Sequence, residues 1–151
     1  MTHTVEFVTD YMSVKLISFS PEDDIQYATR TLLSNKISGA PVVDENGKLV
    51  GMLSEKDCIR LLMDGPYNQR PSGTGKVSEY MSRNIKTLPA STTIIKAAYE
   101  FMNSSYRRFP ILDNGVLVGQ ISRRDVLKAI VKRRPKVDHV PSTWKARIPA
   151  Q

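Results

Sequence analysis

The chain has 151 residues, 40% hydrophobic and 25% charged, with a formal net charge of +7. That composition fits one compact domain or two small halves sharing a core. It holds no run of 18 apolar residues, which excludes a transmembrane helix, and its start, MTHTVEFVTDYM, lacks the basic and apolar regions of a signal peptide.

The single cysteine, Cys58, cannot close an internal disulfide, and a cytoplasmic location is the expectation. From Lys132 onward six basic residues stand against one aspartate. The excess charge therefore belongs to a tail and does not mark the body as nucleic-acid binding.

In chain order, a lead-in VTDYMS (8–13) comes first, then KLISFS (15–20), an extended stretch ending before Pro21. An amphipathic helix follows, with Ile25, Ala28, Leu32 and Leu33 spaced along one apolar face. APVVD and LVGML flank the turn residues Asp44-Glu45-Asn46-Gly47 and read as a β-hairpin. A second helix starts at Ser54, and Cys58 on it reads as a small buried hydrophobe.

The stretch DGPYNQRPSGTGK (64–76) is rich in Gly, Pro and polar residues and reads as a linker. Its GTGK lacks the spacing of a phosphate-binding loop. The plan then begins again. VSEYMS (77–82) and NIKTL (84–88) precede a helix with Ile94, Ala97, Ala98, Phe101 and Met102 on one face. FPILD and VLVGQI flank Asp113-Asn114-Gly115 as a second hairpin, and a last helix starts at Ser122. The tail KRRPKVDHVPSTWKARIPAQ reads as a solvated end, with Trp144 available to dock on the body or a neighbouring subunit.

Residues 8–63 therefore lie over 77–131 with one deletion, in the second hairpin turn. The fold expected is α+β, two β-α-β-β-α repeats packed by a pseudo-twofold. The organisation is a first repeat with its lead-in (1–63), a linker (64–76), a second repeat (77–131) and a basic tail (132–151). Neither repeat, at roughly 55 residues, buries enough surface alone, so each needs the other as a second layer.

The segment Gly-x-(apolar)-Ser-x-x-Asp occurs at 51–57 and at 119–125. Its plain reading is a capping box, with Ser54 and Ser122 at N-cap and Asp57 and Asp125 three residues on. A functional reading sits beside it. Gly51 and Gly119 leave room for a ligand, the helix N-terminus offers free amides and partial positive charge, and a carboxylate accepts ribose hydroxyls. Neither His3 nor His139 has a Cys or second His spaced to share a metal, so no metal is expected. Without a nucleophile–base pair, the chain does not read as an enzyme.

Taken together, VTDYMS, SGAPVVDENGKLVGMLSEKD and YRRFPILDNGVLVGQISRRD resemble a pair of cystathionine β-synthase (CBS) domains, the tandem Bateman module, over residues 8–131. The resemblance implies adenine nucleotides or adenosyl ligands (AMP, ADP, ATP, NAD or S-adenosylmethionine) in clefts between the repeats. It implies one site joining Ser54 and Asp57 to Thr87, Tyr106, Arg107 and Arg108. The other joins Ser122 and Asp125 to Ser20, Ile37, Ser38 and Gly39. The aspartates would hold ribose, the serines with Lys56 and Arg124 would approach phosphate, and Met52 and Gln120 would flank the base. Gln120 is polar where the family usually has an apolar residue. The family also implies a homodimer formed through helices, sensing energy state or a metabolite for a regulated protein outside the chain. Two alternatives are an interaction scaffold with degenerate pockets and a nucleic-acid binder driven by the tail.

Overall fold

The computed structural model describes residues 4–67 and 74–132. The features assigned to His3, residues 68–73 of the linker, His139, Trp144 and the tail beyond Lys132 lie outside the described residues. A single 3-10 turn, Val8–Asp10, opens the chain, and α1 (Ile25–Asn35), β1 (Gly39–Val43), β2 (Leu49–Ser54) and α2 (Glu55–Tyr67) form the first unit. The second comprises α3 (Val77–Tyr80), β3 (Leu88–Pro89), α4 (Ile94–Met102), β4 (Arg108–Asp113), β5 (Val116–Ser122) and α5 (Arg123–Lys132).

Each first helix begins where a side chain can replace a missing turn. The Asp24 carboxylate accepts from the Tyr27 amide, and the Thr93 hydroxyl from the Lys96 amide. Each hairpin is antiparallel, Gly39 to Ser54 and Arg108 to Ser122, with a bulge late in its first strand. Gly47, Asn114 and Gly115 take positive φ in the turns, as the Asn and Gly chemistry there requires. The shorter second turn absorbs the one-residue deletion.

The expected extended stretches are reduced. NIKTL contributes only β3, paired parallel to β4. KLISFS forms no strand; Phe19 alone bridges Val42 in the same parallel sense. Pro21 and the turn at Asp23 end the pairing at once, since the Asp23 amide bonds the Ser20 carbonyl. Helix α2 runs to Tyr67, four residues into the segment read as linker.

Two apolar cores result, and each is completed by the other repeat's lead-in. The first gathers Phe19, Ile25, Leu32, Val42 and Leu53 with Val77, Tyr80 and Met81. The second gathers Ile94, Phe101, Phe109, Ile111 and Ile121 with Val8. Backbone bonds repeat the exchange. Val8 donates to the Thr92 carbonyl and Ile94 to Glu6; correspondingly, Val77 donates to Asp23 and Ile25 to Gly75. Ser13 pairs with Gln120 as Ser82 pairs with Met52. This reciprocity is what an approximate twofold between the repeats requires. Burying a side chain such as Val8 or Val77 contributes about 1.5–3 kcal/mol, so the exchange ties the halves together.

Two core assignments are corrected. Leu33 and Met102 occupy equivalent positions and were expected inside, yet they are 72% and 83% exposed. Both sit in the last turn of their helix, one residue past the buried Leu32 and Phe101, and so rotate outward. Cys58 is buried as expected, and burial pushes its thiol up.

Candidate functional site

Each hairpin ends by feeding a helix, and the junction is the duplicated Ser-x-x-Asp. In the first repeat the Ser54 amide donates to Asp57 Oδ2 at 2.9 Å and the Ser54 hydroxyl to the same oxygen at 3.0 Å. The Asp57 amide donates to Ser54 Oγ at 3.2 Å. In the second, the Ser122 amide donates to Asp125 Oδ2 at 2.9 Å and the Asp125 amide to Ser122 Oγ at 3.2 Å. Both copies are complete capping boxes.

The first-turn amides are less free than the sequence suggested. The Glu55 amide donates to the Ser38 carbonyl and the Arg123 amide to the Arg107 carbonyl. With the box taking the third amide, Lys56 and Arg124 carry the one amide in each first turn that these bonds leave aside. The two aspartates also differ. Asp57 is half-buried, and its Oδ1 stands outside the box. Asp125 is only 5% exposed, and its Oδ1 faces Lys128 Nζ at 3.6 Å.

The glycines are corrected. Gly51 and Gly119 are buried, and a Cβ at either would run into the thioether of Met81 or Met12. They make room for the exchanged lead-ins, not for a ligand. Gly39 instead serves the close pairing of its own hairpin, because a Cβ there would meet the Leu53 carbonyl of β2 at 3.0 Å.

The hairpins place Ser38 and Gly39 beside Ser54, and Arg107 and Arg108 beside Ser122, each within its own repeat. Arg123 joins the second group by donating Nε–H to the Tyr106 carbonyl at 3.1 Å. Arg107, Arg123 and Arg124 are exposed and Arg108 is half-buried. Thr87 is half-buried; Tyr106 packs at a tilt against Phe109, with ring centroids 5.6 Å apart. Ser20 is engaged locally, its amide on Asp23 Oδ2 and its hydroxyl accepting from Glu22. Ile37 packs against the first core. Ile37 and Ser38 also line a groove of about 830 Å³ on the helical side, between α1 and α2.

Met52 and Gln120 stand beside the exchanged segments, paired to Ser82 and Ser13. Reasoning from sequence missed Met12, Ser13, Met81 and Ser82 as neighbours of the site. Their signal was present, since VTDYMS and VSEYMS are the most alike of the repeated stretches ahead of the hairpins. Among the described residues no three His, Cys, Asp or Glu side chains converge as metal ligands, and no helix is long and apolar enough to cross a membrane.

Two small α+β repeats, each with a parallel lead strand or bridge, a hairpin and a capped Ser-x-x-Asp, exchanging lead-ins across a twofold, define a tandem-repeat module. The chain belongs to the CBS domain family, which matches residues 8–64 and 77–132. It is 26% identical to the uncharacterized protein MJ1225 of Methanocaldococcus jannaschii over 83% of its length, and spans 43% of that protein. It is 29% identical to a CBS domain-containing protein of Dictyostelium discoideum, covering 83% of this chain and 91% of that one. Among solved structures, CBSX2 of Arabidopsis thaliana in complex with AMP is 27% identical. Its TM-score is 0.73, over 84% of this chain and 97% of that one.

Proposed function

We propose that this chain is a regulatory, non-catalytic module that binds an adenosine-bearing ligand between its two repeats, and that it works as a homodimer. The observation that carries the reading is the duplicated Ser-x-x-Asp, held rigid by its own box and leaving Asp57 Oδ1 unused. The likeness to CBSX2, crystallised with AMP, makes AMP the first ligand to test. The homodimer is supported by the apolar residues that the four long helices leave exposed, Leu33, Leu62, Tyr99 and Met102 among them.

The two sites are unequal in this reading. The Asp57 site takes the ligand, with ribose on Asp57 and phosphate toward Arg107 and Arg108 of the other repeat. Each charge-assisted hydrogen bond there contributes about 1.5–3 kcal/mol. Asp125 is buried and already faces Lys128, which disfavours the second site.

The test is calorimetric titration with AMP, ADP, ATP, NAD and S-adenosylmethionine. Asp57→Asn retains an oxygen for the cap and removes the charge. It is expected to raise the AMP Kd about tenfold, or roughly 1.4 kcal/mol, while Asp125→Asn leaves it within twofold. No heat and no thermal shift with any of the five ligands would refute the reading. A scaffold with degenerate pockets is the second reading, favoured by boxes that are complete without a ligand. It requires partner binding that is indifferent to Asp57→Asn.

A further inference from the structure

We propose that the groove between α1 and α2 is a ligand site of its own, for an elongated apolar molecule that carries one carboxylate. The inference goes beyond the adenosine reading and uses neither Asp57 nor Asp125.

The groove follows from what the first repeat lacks. Leu32 and Ile37 line it. At their positions the second repeat carries Phe101 and Tyr106. Both rings pack on Phe109, with centroids 4.6 and 5.6 Å away, and Phe109 stands where the first repeat has Ala40. The first repeat thus has the smaller side chain at all three places. One change runs the other way, Leu61 for Ala129, but exchanging Phe109 for Ala40 alone removes more than Leu61 adds. The groove measures about 830 Å³, within the range of about 300–1,000 Å³ common to small-molecule sites.

Its lining is that of a site for an amphiphile. Leu33, Ile59 and Leu62 are exposed on its walls above the buried Leu32 and Leu61. Two of its polar groups satisfy each other: the Thr29 hydroxyl donates to the Ile25 carbonyl at 2.8 Å, and the Cys58 thiol bonds Thr29. An apolar body laid along these residues displaces water without stripping a polar group of its partner.

Charge sets the other end of the ligand. Arg30 and Lys36 line the groove where the second repeat has Tyr99 and Ser105. Both are exposed, and among the described residues neither is in an ion pair. Glu55 is the one acidic residue in the lining, so the cations are in excess. A carboxylate suits this rim because a guanidinium takes it through two parallel charge-assisted hydrogen bonds.

The probe is sodium decanoate, titrated calorimetrically into the full chain below its micelle concentration. Decyltrimethylammonium keeps the alkyl chain and reverses the charge. The expected result is one decanoate per chain, bound about tenfold more tightly than decyltrimethylammonium. Arg30→Gln with Lys36→Gln should weaken decanoate about tenfold and leave decyltrimethylammonium no weaker. Both positions are exposed, so that variant keeps its fold. Ile37→Tyr restores the second repeat's side chain and should weaken both probes, with circular dichroism unchanged. No heat and no thermal shift with decanoate would overturn the proposal. So would equal binding of the two probes, or decanoate binding that the double variant leaves intact. A dimer by light scattering that takes up no decanoate assigns the groove to a second copy and overturns it too. AMP is titrated into the same protein: heat with AMP and none with decanoate defeats this inference alone, and the reverse defeats only the adenosine reading.

Discussion

Gly51 and Gly119 show how a residue's reason can sit far from it in sequence. Each is buried, and each accommodates a methionine thioether from the other repeat's lead-in. Gly51→Ala is therefore an overpacking change, expected to cost about 1–3 kcal/mol. Truncating Met81 removes the thioether and leaves only the Ser82 carbonyl close by, 3.1 Å from the added Cβ, so Gly51→Ala should cost clearly less on a Met81→Ala background than in the wild type. Denaturant unfolding of the four proteins in that cycle measures the coupling; additive costs would show that the glycine serves some other purpose. The serine and aspartate of the same motif were legible, because a capping box closes within one turn and needs nothing from elsewhere. The glycine was not, because its neighbour lies some 30 residues downstream in one copy and 107 upstream in the other, by the positions of Met81 and Met12. Reading Gly51 as an opening for ligand mistook space kept for a side chain for space left empty.

Among elements, helices α1, α2, α4 and α5 and both hairpins follow from local patterning: caps, apolar spacing and Asn-Gly turns. The lead strands do not. KLISFS has a strand's alternation, but its only sheet contact is Phe19 on Val42, and the turn that follows leaves no room for more. The exchange of lead-ins was also beyond local patterning, since nothing in VTDYMS says which repeat it serves. Exchange makes a distinctive prediction. Val8 opens the first repeat, yet it is fully buried among the second repeat's core residues. Val8→Ala should cost about 1–3 kcal/mol, the lower range for removing buried carbon. Its loss of amide protection, read by hydrogen exchange, should fall on β4, β5 and α4. Protection lost chiefly in α1, β1 and β2 would contradict the exchange.

At the scale of the whole molecule, the apolar pattern on each long helix is wider than one core can cover. Ile25, Ala28 and Leu32 are buried on α1 while Leu33 is exposed, and Ile94, Ala97 and Phe101 are buried on α4 while Met102 is exposed. From sequence the full apolar stripe reads as core, because periodicity counts apolar residues without saying how many surfaces cover them. Leu62, Tyr99 and Met102 are this exposed, and in the proposed homodimer a second copy would cover them. Such pairing has a signature. If folding and pairing are linked, the unfolding midpoint of the wild type rises with protein concentration. Met102→Lys introduces a charge at an exposed position, where the monomer's own packing has little to lose, typically within about 0.5 kcal/mol. It should give a folded monomer by light scattering, with wild-type circular dichroism and a midpoint that no longer depends on concentration. A variant that stays dimeric, with its midpoint still rising, would show that the α4 face lies outside the interface.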